Sequence, residues 1–214
     1  MENSKGDYLS GLNENQLEAI SHINGPLLIL AGAGTGKTKV LTSRIIHILN
    51  NNIAFPSQIL AVTFTNKAAS EMKQRVESFL ENVTSSMNIG TFHSMAAKIL
   101  RRHAEVLGYT SDFTIINQDD QLRLTKQLIK DYKLDEKSVS PKGLLYYINR
   151  FKDRAIIPEN LPVNEAEHFA SGKLNQLYTE YQSRLKNYNA MDFGDLLLNN
   201  IQLFNNNLDI CSYY

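Results

Sequence analysis

The sequence is poor in several features that would point elsewhere. It has one cysteine, Cys211, in 214 residues, which excludes an internal disulfide and any cysteine-based metal cluster. A lone cysteine without a catalytic neighbour reads as a small buried apolar residue and receives no chemistry. No apolar run approaches the roughly eighteen residues that a membrane-spanning helix requires. The opening "MENSKGDYLSGLNENQ" lacks the charged-then-apolar pattern of a signal peptide, so a cytoplasmic location with no membrane partner is expected. Net charge is absent as well. The 22 Lys and Arg balance 22 Asp and Glu, so attraction to nucleic acid must come from a local patch.

What the chain does contain is the makings of a core, with 43% hydrophobic and 21% charged residues. Its length suits one domain, or one domain carrying an insert. In the first half, short apolar runs alternate with amphipathic stretches. "PLLIL" reads as a fully buried strand, followed by a helix whose inward face carries Leu41, Ile45, Ile48 and Leu49. "QILAVTF" reads as a second strand, leading into a helix capped by Thr65 or Asn66. "MNIGTF" reads as a third, before a stripe of Phe92, Met95, Ala96, Ile99, Leu100, His103, Val106 and Leu107. Such repetition implies a parallel sheet with helices packed on it. From about residue 109 the pattern turns polar, tyrosine-rich and helical in period, with "IIPENLP" and "ASG" as breaks, which predicts a helical insert.

The strongest motif interrupts the first strand and helix. In "LLILAGAGTGKTKVL", residues 27–41, three glycines separate an apolar run from Lys37, Thr38 and a second apolar series. Glycines allow positive φ and close approach of backbone N–H groups, and a following helix start favours negative charge. The implied ligand is phosphate. Residues Ala31, Gly32, Ala33, Gly34, Thr35, Gly36, Lys37 and Thr38 form an A-x-x-x-x-G-K-T version of the phosphate-binding loop, departing from the strict pattern at Ala31. Lys37 would reach the β- and γ-phosphates, Thr38 would offer its hydroxyl to Mg²⁺, and the amides of residues 34–38 would cradle the phosphates.

Four flanking segments narrow the class: "LNENQLEAI" before the loop, then "AVTFTNKAASEMKQRV", "IGTFHSMAAKILRRHAEVLGY" and "MDFGDLLL". Their order and spacing resemble the N-terminal part of UvrD/Rep/PcrA-type superfamily 1 DNA helicases, from about residue 9 to the end. The resemblance implies an α/β phosphate-loop NTPase fold, an incomplete RecA-like motor domain with an inserted all-helical domain. The implied divisions are 1–108 for the first part of the motor, 109–190 for the insert and 191–214 for the return segment. It implies ATP and Mg²⁺ as cofactors, Lys37 and Thr38 as catalytic residues and Gln16 as the reader of adenine. Thr63, Phe64, Thr65, Asn66, Thr91 and His93 match segments that contact single-stranded DNA, and Lys142, Arg150, Lys152 and Arg154 are candidate backbone contacts of the insert. The implied activity is ATP-dependent 3′-to-5′ unwinding in repair or replication, on single strands and single/double-strand junctions. Two positions depart from the family pattern: Lys39 and Gly194 stand where the family commonly has arginine and aspartate.

Read without the resemblance, several of these residues have plainer roles. A phenylalanine ending a strand is usually core, and Thr-Asn before a helix is usually a cap. Asp119 and Asp120 imitate the acidic pair that holds Mg²⁺, but they lead straight into a helical stripe, where aspartate is a favoured helix-start residue. The family's acidic motif is expected shortly beyond a segment like "IQLFNNNLDICSYY", so the chain reads as an N-terminal portion. A truncated non-catalytic module that binds ATP and DNA, or one half of a split helicase complemented by a separate C-terminal chain, is the alternative to an active motor.

Overall fold

The computed structural model describes residues 7–80, 82–135, 139–162, 165 and 169–214; the first six residues of the opening segment lie outside it. The chain divides into two compact units, Met1–Met95 and Ala96–Tyr214.

In the first unit, helix α1 (Glu14–Ser21) starts at a capping box in which Asn13 and Gln16 bond each other's backbone N–H. Helix α2 (Lys37–Asn50) follows the glycine loop. Strands β1 (Leu60–Thr63) and β2 (Asn88–Thr91) pair in parallel, with Thr63 opposite Thr91. The crossover between them is helix α3 (Asn66–Phe79), whose N-cap is Thr65, its hydroxyl accepting from Ala68 N at 3.1 Å. Ile45 and Ile46 of α2, Met72 and Val76 of α3, and Ala61 and Ile89 of the strands form one core. Ala19, Ile20 and Val40 make a smaller one between α1 and α2.

Two expectations require correction here. The "PLLIL" run is not a buried strand: residues 27–30 have no strand partner among the described residues, and Leu28 and Leu30 are 81% and 86% exposed. Its composition is right for burial between sheet neighbours, but a parallel strand satisfies its backbone only through such neighbours. The face of α2 is also rotated, with Val40, Ile45 and Ile46 buried and Leu41 exposed.

Helix α4 (Phe92–Arg102) begins in the first unit and continues into the second. Its expected stripe is buried at Ala96 and Leu100, and at Ala104 beyond its end, whereas Phe92 and Val106 are exposed. In the second unit, β3 (Thr114–Ile115) pairs in parallel with β4 (Ala190–Met191). Between them lie α5 (Gln118–Asp131), α6 (Pro141–Asp153) and α7 (Leu174–Asn187), and α8 (Phe193–Asn206) and α9 (Leu208–Tyr213) follow β4. Leu128, Ile148, Phe151, Leu177, Tyr178 and Tyr181 are fully enclosed among these helices. Asn117 caps α5, which leaves Asp119 and Asp120 in its first turn, favourably placed for the helix dipole. Cys211, expected to be buried, is exposed.

A buried ionic cluster holds α6 to the start of α8. Lys152 Nζ lies 2.6 Å from Asp192 Oδ2 and 2.8 Å from Asp195 Oδ1, with all three side chains sealed from solvent. Asp192 also caps α8 by accepting from Asp195 N, Tyr181 donates its hydroxyl to Asp192, and Gln182 donates to Asp195. This removes Lys152 from the candidate DNA contacts, since a DNA-contacting lysine must reach solvent. Arg154 is held by Glu165 at 2.7 Å, while Lys142 and Arg150 remain on the surface.

Candidate functional site

The glycine loop is shaped by the two residues that only glycine tolerates. Gly34 and Gly36 have φ of +76° and +83°, and Gly36 is the N-cap of α2. A Cβ at Gly36 would also stand 3.2 Å from Gln16 Nε2. The loop thus runs straight into α2, whose first turn contains no acidic residue. Successive amides and a helix N-terminus make a concave anion site. Lys37 Nζ donates to the carbonyls of Ala31 and Gly32 at 2.9 and 2.6 Å, and Thr35 Oγ1 donates to Gly32 O at 2.8 Å. The ammonium thus sits over the loop, bonded to oxygens that an incoming phosphate can replace as acceptor. Thr38 is exposed, one residue into the helix.

This donor set fits a triphosphate. Lys37 and the loop amides would hold the phosphates, and Thr38 would supply one oxygen to a phosphate-bound Mg²⁺. Among the described residues no cluster of three or more His, Cys, Asp or Glu side chains could hold a metal alone.

Gln16 is brought against the loop. Its Nε2 donates to Thr35 O at 3.0 Å and its Oε1 accepts from Asn13 N at 3.0 Å. A primary amide has two N–H donors and two acceptor lone pairs, so one of each is left over. Lys39, where the family commonly has arginine, donates to the carbonyls of Ser10 and Gly11 at 2.8 and 3.1 Å. Two separate carbonyls suit a point-charge ammonium as well as a fork, and the contact ties the turn before α1 to α2.

The residues matched to DNA-contacting segments lie at the C-terminal ends of β1 and β2. Phe64 is 98% exposed, which contradicts its core reading. Thr63 Oγ1 donates to Thr65 O at 3.0 Å, and Asn66 is exposed at the first position of α3. On the neighbouring strand, Thr91 Oγ1 accepts from Ser94 N at 3.2 Å and Ser94 Oγ accepts from Thr91 N at 2.8 Å, a reciprocal cap on α4. Thr65 and Thr91 are therefore helix caps, each retaining a hydroxyl proton to donate. His93 is half-buried.

In the return segment, Gly194 has a close neighbour. A Cβ there would fall 2.9 Å from Lys152 Cδ and 3.1 Å from Lys152 Cβ, so any larger residue would displace the stem of the buried lysine. Sequence reasoning noted the missing carboxylate at Gly194 but not the lysine that occupies its space. No local pattern links residues 42 positions apart.

The model of the UvrD/REP helicase N-terminal domain matches residues 12–214. A probable DNA helicase II homolog of Rickettsia conorii is 50% identical over 210 residues, covering 97% of this chain and 32% of the relative. The ATP-dependent DNA helicase PcrA of Bacillus subtilis is 40% identical over 206 residues, covering 96% of this chain and 28% of the relative. The chain thus spans about a third of the length of the curated relatives it matches.

Proposed function

This chain belongs to the UvrD/REP helicase N-terminal domain family, and from that premise we propose that it is the ATP-binding and single-stranded-DNA-binding N-terminal portion of an ATP-dependent 3′-to-5′ DNA helicase acting in repair or replication. The observation that carries the reading is the glycine loop at the head of α2 with Gln16 bonded to it. Phosphate and base recognition then share one small unit, and Phe64 stands exposed on that same unit. The exposed apolar run 27–30 favours a second reading, in which the chain is a binding module completed by a separate C-terminal helicase chain.

Isolated chain is expected to bind ATP-Mg²⁺ weakly, and Lys37→Ala to remove most of that binding. A charge-assisted contact to phosphate is worth about 1.5–3 kcal/mol. Calorimetry giving equal affinity for both proteins would sink the assignment. Gln16→Ala is expected to narrow the preference for ATP over GTP, because the remaining donor and acceptor of Gln16 match adenine N7 and N6. Unchanged selectivity in a competition assay would contradict the adenine-reading role.

A further inference from the structure

Resting on the DNA-binding reading above, we propose that Phe92 is a second stacking platform for single-stranded DNA, paired with Phe64, so that the unit seats neighbouring bases on two aromatic rings. The strands β1 and β2 end in the same dipeptide, Thr63-Phe64 and Thr91-Phe92, and the parallel register sets Thr63 opposite Thr91. Adjacent strands lie about 4.8 Å apart, so the two phenylalanines each follow one member of a paired residue couple at neighbouring strand ends. Both are exposed, Phe64 at 98% and Phe92 at 62%. The sequence stripe had assigned Phe92 to the packed face of α4, yet that face is filled from Ala96 onward.

The described residues leave both rings in water at the same end of the strand pair, where a ligand with flat apolar faces would cover them. The surroundings are also right for a nucleic-acid strand. Lys67 is exposed in the first turn of α3, and the capping hydroxyls of Thr65 and Thr91 flank the rings with donors suited to phosphate. Bases stack on aromatic side chains with little sequence preference, while nearby cations and hydroxyls hold the backbone. Single-stranded DNA satisfies both demands, whereas duplex DNA keeps its base faces covered.

The test is fluorescence anisotropy of a labelled oligo-dT with the 214-residue chain and its Phe64→Ala, Phe92→Ala and Phe92→Tyr variants. Loss of one stacking contact is expected to weaken binding about 5- to 100-fold. Phe92→Ala should show that loss, Phe92→Tyr should restore affinity, and the salt dependence should be unchanged because no phosphate contact is removed. If Phe92→Ala binds like the wild type while Phe64→Ala is weakened, the inference is overturned and the DNA-binding reading survives. If neither substitution weakens binding, or the wild type does not bind, the reading itself fails. Should Phe92→Ala unfold in a circular dichroism melt, Phe92→Leu decides: it keeps an apolar side chain but no ring, and wild-type affinity in it would overturn the proposal.

Discussion

Replacing Lys152 by alanine is expected to lower the stability of the second unit by about 3–5 kcal/mol, the usual consequence of removing one partner from a buried ion pair. Among the described residues the ammonium is the one cation against two sealed carboxylates, 2.6 Å from Asp192 and 2.8 Å from Asp195. Without it, Tyr181 and Gln182 still donate hydrogen bonds, but two buried negative charges face each other across one helix cap. Urea denaturation monitored by tyrosine fluorescence measures the loss, and a change below about 1 kcal/mol, typical of an exposed pair, would refute it. The triple substitution Lys152→Met, Asp192→Asn, Asp195→Asn removes the charges together and is expected to recover much of the deficit.

The same cluster has a definite pH signature. Burial pushes the Asp192 carboxyl up, but the charge and hydrogen bond of Lys152, with the hydrogen bonds from Asp195 N and the Tyr181 hydroxyl, together leave the group below its ordinary value. Burial dominates at Asp195 and, with the Asp192 charge, holds it above that value despite Lys152. Asp192 therefore contributes stability above the ordinary carboxylate pKa, lost as pH falls through its lowered one. Asp195 contributes stability below the ordinary value, lost as pH rises through its raised one. The pair alone is most stabilising near the ordinary carboxylate range. In Lys152→Ala both carboxyls gain from protonation, so the deficit relative to wild type should shrink as pH is lowered from about 7 toward that range.

The parts of this fold that were legible in the sequence are those fixed by neighbours in sequence. The strand-to-helix junction at Thr65 was readable because a cap bonds an amide only three residues away. The glycine loop was readable for the same reason, its turn requiring glycine at positions 34 and 36. What failed depended on distant partners. "PLLIL" has the composition of a buried strand, but composition does not say who lies beside it, and here residues 27–30 are exposed. Lys152 reads as one more basic residue in a polar helix until Asp192 and Asp195 are brought to it. Phe92 fits a helical stripe by periodicity, yet the stripe's first position lies beyond the packed part of α4.

The isolated 214-residue chain is expected to bind ATP without appreciable turnover, whether or not single-stranded DNA is present. In the proposed reading Lys37 and the loop amides would recognise the ground-state triphosphate, and binding of that kind survives when catalysis does not, because rate depends on contacts formed chiefly in the transition state. Of the groups such chemistry needs, the proposed reading assigns Lys37 and the hydroxyl of Thr38 among the described residues of the first unit. The exposed run 27–30 leads directly into the loop and has no strand partner among the described residues that would fix the loop amides against developing charge. A charge-stabilising arginine by itself contributes on the order of 10³–10⁵ in rate in phosphoryl-transfer enzymes that use one. Phosphate release by the purified chain, with and without oligo-dT and with Lys37→Ala as control, should therefore stay near background. Robust turnover abolished by Lys37→Ala would overturn the expectation. It would also return Asp119 and Asp120, now placed in the first turn of α5, to consideration as the acids that hold the metal.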